Sequence, residues 1–153
     1  MAWYDSAVFY HMYPLGMVGA EKQNDGGEIR HRFSELDAFI PYLKVLGCDA
    51  IYIGPLFESG SHGYDTTDYK TVDRRLGTNA DFRHFVDTAH NYGIRVVVDA
   101  VFNHTGRGFF AFKDIQEKRW DSAYKDWYKG VGFDGGSPWG DCFHYSAWRG
   151  AWE

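Results

Sequence analysis

Apolar residues in the first hundred positions occur in two patterns: short uninterrupted runs and stripes with helical spacing. The runs cover residues 6–14, 48–55 and 94–98. Runs of this length that are rich in β-branched and aromatic residues predict strands. The last run, "IRVVV", has no polar alternation, so it predicts a strand that is buried on both faces.

Each gap between two runs contains one stripe at i, i+3, i+4 and i+7, which predicts an amphipathic helix. The stripes are Leu36, Phe39, Ile40 and Leu43, then Phe82, Phe85, Val86 and Ala89. Capping-box spacing of Ser34 with Asp37, and of Thr78 with Asp81, predicts the two helix starts. Gly47 predicts the end of the first helix.

Pro41 interrupts the first stripe, so we expect a short first turn and a second segment that starts near this proline. The order strand, helix, strand, helix, strand predicts parallel βαβ units with right-handed crossovers. Residues 56–77 are expected to form a long loop after the second strand. Beyond Thr105 the alternation stops: residues 109–128 are expected to be mostly helical, and the tail from Lys129 has no clear period.

Charge and composition narrow the functional classes. The formal net charge is −5, and Lys and Arg never occur in runs longer than two, which argues against nucleic acid or an anionic membrane as partner. No stretch approaches the length of a membrane span, and residues 1–14 lack the basic start and apolar core of a signal peptide, so we expect a cytoplasmic protein. Cys48 and Cys142 show no disulfide or zinc spacing.

Aromatic residues make up 19% of the chain, and 13 of them fall between Phe109 and Trp152. Most of these side chains are expected to pack in a core. The alternative is a surface that stacks on flat apolar ring faces, because Trp and Tyr combine a large apolar body with a polar group.

Candidate chemistry lies where parallel strands end. Ligands of parallel α/β folds bind outside the carboxyl ends of the strands, because the loops there converge on a rigid scaffold. That rule selects "SGSHGYDTTDY" at residues 59–69 and "DAVFNH" at residues 99–104. Asp99 in a buried strand is costly unless it is paired or hydrogen-bonded, so it should have partners.

The same segments carry a family resemblance. "GYDTTDYKTVDRRLGT" and "GIRVVVDAVFNHTG" resemble conserved segments of the α-amylase superfamily, glycoside hydrolase family 13. Residues 8–104 fit at matching spacing, including "FYHMYP" and "LKVLGCDAIYIGPLFES". The stretch "FFAFKDIQEKRWDSAYKDWY" further resembles the neopullulanase, cyclomaltodextrinase and α-glucosidase branch.

The resemblance implies an α/β fold, a (β/α)8 TIM barrel of which this chain holds about three βα units. Residues 1–104 would belong to the barrel, and residues 105–153 would begin an aromatic-rich subdomain inserted after the third strand. The implied activity is retaining hydrolysis of α-glucosidic bonds in starch, maltooligosaccharides or cyclodextrins.

Site residues follow from the resemblance position by position. His104 would hydrogen-bond the sugar next to the scissile bond, Tyr64 would stack on that ring, and His62 would lie along the same subsite. Asp99 would be a buried organiser held by an arginine, and Asn103 would be a calcium ligand. The loop "EKQNDGG" departs from the acidic calcium loop of some relatives. Structural alternatives remain open: Tyr64 as a cover over the core and His104 as a strand-end cap.

Catalytic carboxyl groups are not identified within the 153 residues. Retaining hydrolysis needs two carboxyl groups about 5–5.5 Å apart. The family nucleophile lies in a G-x-R-x-D-A motif, whereas Arg95 and Asp99 are four positions apart. A complete barrel takes about 250 residues, so we expect an N-terminal portion that is inactive alone and requires the rest of the barrel. The alternatives are a non-catalytic carbohydrate-binding or interaction protein, and a transferase or isomerase of the same superfamily.

Overall fold

A computed structural model describes residues 1–138 and 140–146. Short 3-10 turns lie at Trp3–Asp5, Arg119–Asp121 and Lys125–Trp127. The helices and strands in chain order are β1 (Phe9–Met12), α1 (Pro14–Met17), α2 (Phe33–Asp37), α3 (Ile40–Leu46), β2 (Ala50–Ile53), β3 (Phe57–Ser59), β4 (Thr66–Val72), α4 (Asn79–Asn91), β5 (Arg95–Val98) and α5 (Phe110–Lys118).

Three of the strands form a parallel sheet in the order β1-β2-β5. Each lies within one of the predicted apolar runs and is shorter than the run. Met12, Ile53 and Val98 occupy paired positions, so the three strands end at the same level. The parallel order confirms the predicted βαβ arrangement and brings the segments after the three strands to one edge of the sheet.

The prediction that β5 is buried on both faces is wrong. Ile94 is fully buried, but Val96, Val97 and Val98 are only half-buried. Among the described strands, β5 pairs with β2 on one side only, and α4 packs against it. The open side and the face away from the helix leave part of each valine accessible.

Two predicted features of the first helical region are confirmed. Helix α2 ends at Asp37 and α3 starts at Ile40, with Pro41 in its first turn. Proline fits there because its missing N–H has no acceptor in a first turn. Gly47 follows α3 with a φ of 83°, the left-handed conformation that ends many helices.

The two predicted capping boxes have different outcomes. The Thr78 hydroxyl accepts from the Asp81 backbone N–H at 3.2 Å, and the Asp81 carboxylate accepts from the Thr78 N–H at 2.7 Å. The box at Ser34 is wrong, since α2 already includes this residue and the Ser34 hydroxyl donates to the His31 carbonyl oxygen. Phe33 begins the helix because its side chain is buried in the core.

The expected loop over residues 56–77 is also wrong, because it contains an antiparallel hairpin of β3 and β4. A buried ion pair fastens the base of this hairpin: Arg75 Nε and Nη2 lie 2.8 and 2.7 Å from the two carboxylate oxygens of Asp73. Ser59 bonds to both partners, and Arg75 Nη1 donates to the Glu21 carbonyl oxygen at 2.8 Å. The hairpin is therefore tied to the segment after α1.

Apolar side chains form two clusters. The larger joins the sheet to its helices and includes Met12, Leu36, Ile40, Leu43, Ile51, Ile53, Phe85 and Ile94. The smaller centres on Phe112, Ile115 and Phe143, and α5 supplies two of these. Helix α5 covers only the first part of the helical stretch expected at 109–128, which continues as 3-10 turns. The domain division at residue 104 stays a prediction. No helix in the described part of the chain is long and apolar enough to cross a bilayer.

Candidate functional site

Two segments meet at the carboxyl edge of the sheet. The first is the excursion after β2, residues 54–77, and the second is the segment after β5, residues 99–106. His104 Nε2 lies 2.8 Å from the Tyr64 carbonyl oxygen. Because a carbonyl oxygen only accepts, Nε2 is the donor. The structure therefore brings together two residues that the sequence predicts to contact the same sugar.

The backbones of these two segments approach each other closely at Gly106. Its N–H donates to the Thr66 carbonyl oxygen at 2.8 Å. A Cβ atom at this position would lie 2.6 Å from the carbonyl carbon of Asp65. A side chain would push the two segments apart, so the contact requires glycine.

Tyr69 on β4 fastens the same two segments from behind. Its hydroxyl lies 2.8 Å from the Val101 carbonyl oxygen and 2.6 Å from that of His104. Val101 has a φ of 46°, which is a rare conformation for a β-branched residue and is strained. Tyr69 was not predicted as a site residue, although it lies within the motif "GYDTTDY".

Tyr64 presents its ring at the rim of the edge. Tyr64 is 41% exposed, so part of its surface is open to a ligand. Its backbone N–H donates to His62 Nδ1 at 3.2 Å, and the two rings lie 6.1 Å apart. The Tyr13 hydroxyl donates to the His62 carbonyl oxygen at 3.0 Å. Burial, with the nearby Asp99 charge, raises the pKa of Tyr64.

Asp99 directly follows β5 and is half-buried, not fully buried as expected. Its carboxylate accepts from the Val101 N–H at 3.3 Å. The Tyr52 hydroxyl faces it: burial raises the pKa of Tyr52, and the charge and hydrogen bonding of Asp99 raise it further. Within residues 1–138 and 140–146, no arginine forms a hydrogen bond with Asp99, and its arginine partner stays a prediction.

Asp65 is a candidate site residue that the sequence reasoning missed. One carboxylate oxygen, Oδ2, accepts from the Ser61 hydroxyl at 2.8 Å. The other, Oδ1, is buried and has no hydrogen-bond partner among the described residues, although it lies 3.8 Å from His62 Nδ1. A buried acceptor without a donor is costly, which favours a ligand hydroxyl there. Its position directly after Tyr64 was the available signal.

Asn103 is exposed, and its amide nitrogen lies 3.3 Å from His104 Nδ1. Calcium takes six to eight oxygen ligands, among them carboxylates. Within residues 1–138 and 140–146, no group of three or more His, Cys, Asp or Glu side chains could hold a metal ion. These residues do not form an acidic cage around Asn103, and calcium there stays a prediction.

Comparison with known proteins decides the family. The family described as "Alpha amylase, catalytic domain" matches residues 36–153, more than half of the chain. The chain belongs to the α-amylase family. The parallel sheet with its excursion after the second strand is therefore the beginning of that family's TIM barrel, as the sequence predicts. The inserted subdomain stays a prediction.

Several relatives within the α-amylase family are hydrolases of α-glucans. Neopullulanase 2 of Thermoactinomyces vulgaris is 38% identical over 146 residues, which cover 82% of this chain and 24% of that protein. Oligo-1,6-glucosidase of Heyndrickxia coagulans is 38% identical over 154 residues, which cover 96% of this chain and 26% of the glucosidase. The chain thus spans about a quarter of the length of these curated relatives.

A solved structure of a related hydrolase has the same fold. It is the cyclic α-maltosyl-(1→6)-maltose hydrolase of Arthrobacter globiformis in complex with maltose, with a TM-score of 0.78 and 29% identity. The match covers 99% of this chain and 38% of that hydrolase.

Proposed function

We propose that this chain forms one wall of the active site of a retaining α-glucan hydrolase and binds maltooligosaccharide through Tyr64, Asp65 and His104. One observation carries the proposal: the 2.8 Å contact between His104 Nε2 and the Tyr64 carbonyl oxygen, which places both residues at one rim beyond the strand ends. The glycosidase relatives support the substrate class.

The three side chains match the chemistry of a glucosyl ring. The ring has an apolar face, which stacks on the exposed ring of Tyr64. It also has hydroxyl groups at its edge, and these need both donors and acceptors. Asp65 Oδ1 would supply an acceptor, because it accepts no hydrogen bond from the described residues and lies 3.8 Å from His62 Nδ1. The His104 N–H supplies a donor, and a sugar hydroxyl would replace the Tyr64 carbonyl oxygen as its acceptor.

His104 is held in the orientation that this role requires. Its Nδ1 atom faces the Asn103 amide and its carbonyl oxygen accepts from Tyr69. With both backbone and ring fixed, little conformational entropy is lost when a sugar binds. Asp99 would be held behind this wall by the Tyr52 hydroxyl and by the hydrogen bond from the Val101 N–H.

The chemical step needs two carboxyl groups about 5–5.5 Å apart, a nucleophile and an acid/base. We assign both to a further part of the polypeptide, beyond Glu153. The rest of the barrel would also cover the open side of β5. On this account the 153-residue chain binds glucan but releases no sugar.

The test compares the native protein with the 153-residue chain. The intact mass of the native protein is measured, and reducing sugar released from maltohexaose is assayed for that protein and for the 153-residue chain. We expect a larger native protein that releases sugar and a chain that does not. A native mass equal to that of the chain, 17.6 kDa, would contradict the assignment of the carboxyl groups. Binding without hydrolysis by that native protein would instead indicate a carbohydrate-binding protein.

A further inference from the structure

Aromatic side chains line a second cleft beside the segment after β5. The cleft has a volume of about 260 Å³ and lies between residues 102–105 and the 3-10 turn Lys125–Trp127. Phe102 and Trp127 form two of its walls, and Asn103, Thr105 and Tyr128 contribute polar groups. His104 also lines the cleft, so the cleft adjoins the Tyr64 rim at that residue.

Trp127 is held firmly and yet remains open to solvent. Its ring meets Tyr124 at 5.0 Å and 77°, and Phe110 at 6.1 Å and 79°. Both are edge-to-face contacts, which fix a ring without covering its face. The side chain remains 62% exposed although an aromatic core with Phe112 and Phe143 lies in the same part of the chain. A fixed, exposed aromatic face is typical of a binding surface.

Phe102 faces the same cleft from the opposite segment. Its ring contacts Tyr69 at 5.6 Å and 60°, and 79% of the side chain is exposed. The residue next to it in the chain is Asn103, whose exposed amide offers both a donor and an acceptor. An apolar wall and a polar group therefore lie side by side.

Apart from the His104 imidazole, the polar groups that line the cleft are amide and hydroxyl groups. The Thr105 and Tyr128 hydroxyls lie 2.9 Å apart and form one hydrogen bond between them. None of the described residues that line the cleft is Asp, Glu, Lys or Arg. A cationic ligand would have no carboxylate here, and an anionic ligand would have no lysine or arginine. The surroundings suit a neutral ligand with a flat apolar face and a rim of hydroxyl groups.

We propose that the cleft between Phe102 and Trp127 binds one glucosyl unit of an α-glucan chain, as a second carbohydrate site that adjoins the Tyr64 rim at His104. The inference rests on the proposed function, which supplies the sugar class. The volume of the cleft lies just below the roughly 300–1,000 Å³ of ligand pockets, which suits one sugar ring better than several. The cleft shares the segment 102–105 with the first site, so one long oligosaccharide could contact both.

The test uses calorimetric titration of maltose and maltohexaose into the chain and three variants. Trp127→Ala removes the aromatic wall, Trp127→Phe keeps an aromatic face, and Trp120→Ala is the matched control, since Trp120 is 65% exposed in the neighbouring turn. We expect Trp127→Ala to weaken maltohexaose binding roughly three- to tenfold. Trp127→Phe should retain most of the affinity, and Trp120→Ala should retain all of it.

Iodide quenching of fluorescence provides a second readout. The difference between the parent chain and Trp127→Phe isolates the Trp127 signal. It should be quenched in the free protein and protected by saturating maltohexaose. A Trp127 signal that is already inaccessible in the free protein would show that protein covers the cleft, and would overturn the inference.

The outcomes separate this inference from the proposed function. If Tyr64→Ala weakens maltohexaose binding while Trp127→Ala binds as tightly as the parent, the second site is refuted and the first stands. If a parent chain that circular dichroism shows to be folded binds no maltooligosaccharide, both are refuted. Loss of affinity in Trp127→Ala with recovery in Trp127→Phe supports the second site.

Discussion

The Tyr69 hydroxyl lies 2.6 Å from the carbonyl oxygen of His104. This contact joins β4 of the excursion to the segment after β5. Both segments belong to the candidate site, and their first residues, Gly54 and Asp99, donate backbone hydrogen bonds to the parallel sheet. Tyr69 joins the two segments beyond those bonds and therefore positions His104.

Replacing Tyr69 with Phe tests this positioning role. The ring contacts remain, but the carbonyl oxygens of Val101 and His104 lose the hydroxyl group whose single hydrogen they share. We expect the free energy of unfolding to fall by about 1–3 kcal/mol, measured by urea denaturation, and maltooligosaccharide affinity to fall with it. Tyr42→Phe, at an exposed position on α3, is the control. An unchanged stability and affinity in Tyr69→Phe would rule out the role.

The buried ion pair at the base of the hairpin gives a second prediction. Arg75 and Asp73 have side chains that are 5% and 0% exposed. Arg75→Met leaves the carboxylate buried without its partner, which costs about 3–5 kcal/mol. The loss is measured by urea denaturation, with Arg83→Met on the exposed face of α4 as control. A loss no larger than in the control would show that the pair does not stabilise the hairpin.

Acid should weaken the start of α4. Burial opposes ionisation of Asp81, but hydrogen bonds from Thr78 and His31 outweigh it and hold the pKa of this carboxyl below its ordinary value. A lowered folded pKa stabilises the fold at neutral pH, and that stability is lost as the pH falls from about 5 through the lowered pKa.

Thermal denaturation at pH 7 and at lower pH values checks this effect in matched variants. Asp81→Asn should have a lower melting temperature than the parent at pH 7. On acidification, its melting temperature should fall less than that of the parent. Asp87→Asn, on the exposed side of the same helix, should show the same fall in melting temperature on acidification as the parent. Equal acid sensitivity of parent and Asp81→Asn would contradict the assignment.

Local sequence signals predicted the helices and strands better than the contacts between them. The capping box of Thr78 and Asp81 involves neighbours in the chain, so spacing alone revealed it. The failed box at Ser34 shows the limit, because burial of Phe33 set the start of α2. The half-exposure of β5 depends on which strands pair with it. The identities of residues 94–98 do not determine that pairing.

In the candidate site, too, residues within motifs were predicted, whereas contacts between distant residues were not. Tyr64 and His104 were predicted from their motifs, and the structure places them together. The Tyr69 contacts join positions 32 and 35 residues apart. The unpartnered oxygen of Asp65 depends on the packing around it. Such relationships follow from the folded chain and could not be predicted from spacing.

The most direct test of the central claim is calorimetric titration of maltotetraose into the 153-residue chain and into Tyr64→Ala and His104→Ala. Tyr42→Ala serves as the control, and cellotetraose, with β-linkages, tests the sugar class. The account predicts maltotetraose binding that each site variant weakens about tenfold or more, as expected when an interaction of roughly 1.4 kcal/mol is lost. No binding to the parent chain, or equal affinity in all four proteins, would contradict it.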